Sequence, residues 1–323
     1  MAIPGPERLR RWLLCGCWLS AWALYTVCAA FSEFFGRVFI SQYRFTFPAF
    51  IALCQALLTM VTLQLLKRAG LLKIKPYLLE SGEIFLLPSI CFSFHSILIL
   101  WAVTSSNCTV FTFIRRFTPL ASLALVQTFN LKKRASSSRA LLVLLVTLCS
   151  VLAGIPSFND ETIVYVYGLL NLVLESTYLT LLQKICEDQN ISVMDVYYTC
   201  TINSCPLLFV YCLLHPDTHQ IYPSGSWTSL IFLGFFSLVL LLGCLLKFLI
   251  CMCTLLSSAL MTSMMELAKT DVLTLRSIIA CEWIFSSHLT SLLISASGVG
   301  IFIYKDCRET NISTRKEAMG IQI

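Results

Sequence analysis

Residues 229–256 read "SLIFLGFFSLVLLLGCLLKFLICMCTLL", with Lys247 the one charge in the stretch. A helix on the surface of a soluble domain keeps a polar face, and a barrel strand alternates inward and outward residues. This segment does neither, being apolar on all sides. In a bilayer no water answers backbone N–H and C=O groups, so a segment of this kind crosses as an α-helix that closes its own hydrogen bonds. About 20 residues suffice for one crossing.

The rest of the chain repeats the pattern. Of 323 residues, 57% are hydrophobic and 12% charged, with a mean hydropathy of +0.81. Soluble domains carry roughly 25% charged residues. Apolar runs lie at 12–32, 46–66, 84–105, 108–129, 139–157, 162–184, 195–214, 227–252, 256–283 and 288–304. The expectation is an all-α polytopic membrane protein of about ten transmembrane helices. Residues 1–304 form one membrane domain and 305–323 a short cytoplasmic tail.

Basic loops stay cytoplasmic, which sets the orientation. The segments "ERLRR", "KRAGLLKIK", "LKKRASSSR" and "KDCRETNISTRKEA" hold 15 of the 23 Lys and Arg. The connections "TSSN", "PSFNDET", "HPDTHQIYPSGS" and "EWIFSSH" hold none. With ten helices this alternation places both termini in the cytoplasm. The basic start followed by an apolar run also resembles a signal peptide with a small-residue end at Ala21–Ala23. The run continues through Ala30 and Phe31, so an uncleaved first helix is expected.

Most of the 16 cysteines sit inside apolar runs, where Cys acts as a small hydrophobe. Neither a zinc spacing nor a disulfide framework is expected. The sequons at Asn190 and Asn311 fall on the cytoplasmic side, and Asn107 lies too close to the membrane for modification. His95, His215, His219 and His288 are scattered and there is no convergent acid, base and nucleophile set, so no enzyme, cofactor or metal site is expected. A nucleic-acid partner is not expected either.

Charges within the spans carry the functional signal, because each is costly in hydrocarbon unless it meets a cavity or a partner. Lys184 and Lys247 are read as snorkelling to the interface. Glu33 and Arg37 are four apart and pair along one helix. Glu175 shares the sixth span with Lys184. Glu266 with Lys269 or Thr270 is a similar arrangement nearer mid-span and is expected to line a cavity, on the helix that also carries Asp271 and Arg276. Arg115 and Arg116, in "TVFTFIRRFTPL" (109–120), have no acidic neighbour in that stretch. Adjacent helix positions point about 100° apart, so at least one faces the bundle interior. A desolvated guanidinium fork suits phosphate. The residues alone therefore indicate a carrier or channel for something like an organic phosphate.

"NCTVFTFIRRFTPL" (107–120) resembles the fourth-helix signature of the nucleotide-sugar transporters, nearest the branch carrying UDP-sugars (UDP-glucuronate, UDP-N-acetylhexosamines) and GDP-mannose. "GRVFISQYRFTFPAFIALCQ" (36–55) resembles that family's first hairpin. Arg37 stands at the family Lys, Pro48 and Gln55 match, and Gly36 replaces an Asn. "YYTCTINSCP" (197–206) aligns with the nucleobase-contacting stretch: Tyr197 and Tyr198 fit and Thr199 replaces the Asn. "SALMTSMMELAKTD" (258–271) aligns with the second nucleotide-binding motif. There Ser258, Ala259, Leu260, Thr262 and Lys269 fit, with Glu266 in place of a Gly and Thr270 in place of an Asn.

The resemblance implies two inverted five-helix repeats with a central site between them. It also implies exchange of a cytosolic nucleotide-sugar, a UDP-sugar or a GDP-sugar, for lumenal nucleoside monophosphate across the Golgi or endoplasmic reticulum membrane. Arg37, Lys269 and Arg115 or Arg116 are assigned to phosphate and ribose, Tyr197, Tyr198 and Thr199 to the base, and Asn171 and Tyr178 to the pocket. Sugar, base and homodimerisation stay open. Glu266 fills space and repels phosphate where the family has a Gly. Two other readings therefore stand beside the exchanger: a non-transporting scaffold or trafficking protein on the same fold, and a carrier of another organic anion.

Overall fold

The computed structural model describes residues 6–104, 108–129, 131, 136–154, 162–189, 191–224, 227–280 and 287–318. The helices among them are α1 (Pro6–Tyr43), α2 (Pro48–Arg68), the short α3 (Leu79–Ile84), α4 (Leu86–Thr104), α5 (Cys108–Arg115), α6 (Thr118–Thr128), α7 (Ser137–Ala153), α8 (Thr162–Gln189), α9 (Val193–Leu214), the single turn α10 (Ile221–Ser224), α11 (Leu230–Leu256), α12 (Ala259–Ala280) and α13 (Ser287–Ala318). Asn107, Asn190 and the side chains of Arg276 and Asn311 lie outside the described residues.

A helix occupies every apolar run. Among the described residues, seven stretches are long and apolar enough to cross a bilayer: Ala23–Tyr43, Pro48–Arg68, Leu86–Val103, Thr109–Thr128, Thr162–Gln189, Val193–Leu214 and Leu230–Leu256. The chain is a polytopic helical membrane protein. The first of these stretches begins later than the apolar run at 12–32 and takes in Glu33 and Arg37. Ser137–Ala153 is apolar but shorter. α12 is not among the seven because Glu266, Lys269 and Asp271 crowd into less than two of its turns. Packing places it instead, against α6, α8 and α13.

The fourth run, expected as one helix, is two. Pro119 has no N–H to donate to the carbonyl of Arg115, and its ring crowds that turn. The freed carbonyl is answered by the hydroxyl of Thr118, which donates to it at 2.7 Å. Arg116 N and Phe117 N donate three residues back, to Phe113 O and Ile114 O, both at 3.1 Å, tightening the join. α5 and α6 therefore meet at the arginine pair, and the break helps aim the two side chains apart.

Six transmembrane pairings organise the bundle: α1 with α11, α4 with α8, α2 with α9, α5 and α6 with α8, α6 with α12, and α7 with α13. If α1, α2, α4, α5–α6 and α7 are matched in order to α8, α9, α11, α12 and α13, the pairing of α1 with α11 maps onto that of α8 with α4. The pairings of α2 with α9, α6 with α12 and α7 with α13 map onto themselves. The pairing of α5 and α6 with α8 has only a slight counterpart between α12 and α1, so the two halves correspond in part.

The end of the bundle carrying Lys67, Arg68, Lys73 and Lys75 is tied shut by polar contacts. Asp195 accepts from Lys75 N at 2.8 Å, Tyr77 Oη donates to Asn203 Oδ1 at 2.8 Å, and Asn203 Nδ2 donates to Gly82 O at 2.8 Å. The ammonium of Lys67 lies 5.7 Å above the Tyr198 ring. These contacts bind the α2–α3 connection across α9. At the opposite end the α1–α2 turn is made by Arg44, the one described non-glycine residue with positive φ, at 50°. An aromatic cluster of Phe39, Phe45, Phe232 and Phe236 packs around that turn.

Candidate functional site

The two arginines lead into separate networks, and carboxylates from other helices answer both. This corrects the expectation from the local stretch that they are unpaired. The partners are 60 and more residues away in sequence, which is why no local reading finds them.

Arg116 is 2% exposed. Its Nη1 donates to Ser150 O at 2.5 Å, to Ser150 Oγ at 2.8 Å and to Asp271 Oδ1 at 3.0 Å, and its Nη2 donates to the hydroxyl of Thr274. Asp271 in turn accepts from Ser150 Oγ and Ser295 Oγ, each at 2.5 Å. Gly154 closes the ring, since a Cβ there would overlap the guanidinium. This knot ties the α5–α6 join to α7, α12 and α13 and leaves the guanidinium closed off from a ligand.

Arg115 turns the other way. Its Nη2 reaches Glu175 Oε1 and Glu266 Oε2, both at 3.2 Å, and Nε reaches Glu175 Oε2 at 3.4 Å. Lys269 Nζ meets the same Glu266 oxygen at 2.6 Å and Tyr25 Oη at 3.4 Å. Behind Glu175, Asn171 Nδ2 donates at 3.4 Å, and Asn171 Oδ1 faces His95 Nδ1 at 3.0 Å. A continuous polar wall thus runs through the interior from α4 across α8, α5 and α12 to α1. Two cations face two glutamates, so the centre is balanced in charge.

Arg115, Lys269 and Thr270 line a cavity of about 120 Å³ together with Glu33, Gly36 and Gln55. A cofactor-sized ligand takes about 300 Å³ or more, so the site must widen to receive one. The cavity lies towards the Arg44 end, and beneath it α2, α9 and α11 are knotted together. Gln55 Nε2 donates to Val239 O at 3.3 Å, Cys244 Sγ to Gln55 O at 3.2 Å and Tyr197 Oη to Cys244 O at 3.2 Å. Gly243 permits this approach, because a Cβ there would run into the Gln55 amide.

The other expected site residues divide. Arg37 pairs with Glu33 at 2.5 Å along α1, with its side chain 54% exposed. Thr270 donates back to Glu266 O at 3.0 Å while facing the cavity. Asn171 is in the polar wall. Tyr178, Tyr197 and Tyr198 belong to the apolar cluster at the basic end, and Thr199 donates to Asp195 O at 2.8 Å within its own helix. None of these four lines the cavity, so the structure separates the aromatic group from the cationic one. Lys184 lies 4.9 Å over the Phe129 ring. Lys247, read as snorkelling, instead buries its amine over Phe92 at 5.3 Å. His95 and Tyr25 were missed. His95 was legible only as one of the polar positions Ser89, Ser93 and Ser96 that recur along α4.

No family model matches the chain. UDP-galactose/UDP-glucose transporter 7 of Arabidopsis thaliana is 24% identical over 254 residues, covering 78% of this chain and 77% of the relative. A Dictyostelium discoideum protein named for UDP-sugar transport is 24% identical over 179 residues, 55% of this chain and 46% of that protein. A solved crystal structure superposes over 87% of this chain and 96% of its own at a TM-score of 0.56 and 12% identity, a likeness of fold. By sequence, then, the chain is a divergent relative of proteins named for UDP-sugar transport.

Proposed function

We propose that the chain is a nucleotide-sugar exchanger of the Golgi or endoplasmic reticulum membrane, with both termini cytoplasmic. It takes a cytosolic UDP-sugar, or a GDP-sugar, and returns nucleoside monophosphate by alternating access. The observation that carries the reading is the interior cavity between α1, α2, α4, α5, α11 and α12, lined by Arg115 and Lys269. Buried cations beside a cavity in a membrane bundle have a use when they meet an anion.

The pairing with Glu266 sets how an anion enters. A phosphate reaches Arg115 and Lys269 by displacing the Glu266 carboxylate that already bridges them, so the carboxylate holds the empty site closed and gives way to the ligand. The latches of Tyr77, Asn203, Asp195 and Lys67 at the basic end must part in the other half of the cycle, since one cavity has to open to each side in turn.

Counterflow tests this. Proteoliposomes preloaded with UMP, GMP or CMP are offered labelled UDP-, GDP- and CMP-sugars. Uptake that depends on one preloaded nucleotide is the expected result and names the base. Folded protein that exchanges no pair would leave the two other readings. The charge balance at Arg115 favours the scaffold reading, because a centre whose cations are already answered needs no ligand.

A further inference from the structure

Lys247 is the single charge in the 27 residues of α11. It sits more than two turns from the nearer end, Leu256, and helical side chains lean towards the N-terminus of their helix. Its stem therefore points deeper into the bundle, away from that end. The amine nitrogen is buried and has no hydrogen-bond partner. It lies 5.3 Å from the Phe92 ring centre on α4 and within electrostatic reach of His95, Cys205 and Cys244. A ring face answers part of the charge and none of the three N–H donors.

The interior charges elsewhere are answered. Arg116 has Asp271, while Arg115 and Lys269 share Glu175 and Glu266. Lys247 is the ammonium left over among these groups. His95 continues from its side into the polar wall that ends at the cavity. Gly243 and Cys244, which meet Gln55 in the knot, lie within four residues of Lys247 on α11, and Leu246, its neighbour in sequence, lines the cavity together with Gln55.

We propose that Lys247 is an anion-binding residue. When the knot of α2, α9 and α11 parts, its ammonium receives a phosphate oxygen of the ligand, which satisfies donors that nothing in the closed bundle answers. The ligand being a nucleotide rests on the exchange reading. The assignment of an anion to Lys247 does not.

The test uses purified full-length protein, with UMP, inorganic phosphate and pyrophosphate as probes of thermal stability and with UMP counterflow where exchange is present. Lys247→Met keeps the stem and removes the charge, Lys247→Gln keeps hydrogen bonding, and Lys247→Arg keeps the charge. The expected result is that Lys247→Met and Lys247→Gln weaken the anion-induced rise in melting temperature at least about tenfold in apparent affinity, raise the KM for UMP, and leave the ligand-free melting temperature at or above wild type. Lys247→Arg recovers affinity. Wild-type anion affinity in folded Lys247→Met or Lys247→Gln overturns the proposal. So does a loss of ligand-free stability in both with unchanged affinity, which would mark a structural amine, and so does a wild type that none of the three anions stabilises. If exchange is absent but an anion shift depends on Lys247, the exchange reading falls and this one stands.

Discussion

Arg115 and Arg116 are neighbours in the chain and belong to different machines. Arg116 is enclosed by Ser150, Asp271 and Thr274, its charge met by a carboxylate that is itself held by two serine hydroxyls. Arg115 is 15% exposed at its side chain, shares two glutamates with Lys269 and borders a cavity. The helical turn of about 100° between adjacent residues and the break at Pro119 send them in opposite directions. An arginine pair within a span is thus one structural lock and one candidate ligand contact. The sequence offered Arg115 or Arg116 for phosphate, and of the two Arg115 is the one that borders the cavity.

The largest effect that tests this contrast is on stability. Arg116→Met strands Asp271 in the interior and is expected to cost about 3–5 kcal/mol. The double variant Arg116→Met/Asp271→Leu recovers much of it, as read by thermal melts in detergent. An Arg116→Met protein that melts like wild type but no longer exchanges would return Arg116 to the ligand. Next in size, Arg115→Gln leaves Glu266 to Lys269 and Glu175 to the Asn171 amide, costs about 3 kcal/mol of stability because Glu175 loses its cation, and weakens UMP binding by about 2 kcal/mol through loss of charge-assisted contacts. Counterflow at several UMP concentrations reads this as a raised KM, and unchanged exchange would remove Arg115 from the site.

Glu266→Gly frees Lys269 and releases Arg115 from one of its two carboxylates, Glu175 keeping the other, and UMP is expected to bind about tenfold tighter, close to 1.4 kcal/mol. A ligand-dependent melting series measures it. Equal or weaker binding would show that Glu266 belongs to this protein's own ligand set. Smallest is Tyr77→Phe, which removes the bond to Asn203 at the basic end and costs about 1 kcal/mol. The same change should raise the labelling of the buried native Cys200 on α9 by a thiol reagent added from that side, read by mass spectrometry, and unaltered labelling would mean that this latch does not gate the bundle.

Much of the fold was legible because bilayer hydrocarbon is a strict solvent. It demands about 20 apolar residues per crossing, and a helix stands at each such run. The break in the fourth run was also written in the chain, in the Thr-Pro that follows Phe117, although the run's apolarity hid it. Less of the site was legible. Lys269 and Arg115 were named and do share a cavity, and the i, i+3 pairing of Glu266 with Lys269 follows from helix geometry. The tyrosines of α9 were named from motif likeness and stand in the apolar cluster at the other end.

By itself, then, the sequence determined a helical membrane bundle, the positions of its helices and the presence of charges that hydrocarbon does not tolerate unanswered. Only the tertiary structure decided which charge answers which. Glu175 lies 60 residues from Arg115, and Glu266 lies 151 away. Electrostatic pairing in a low-dielectric interior depends on separations of a few ångströms, which helix packing sets and spacing along the chain does not.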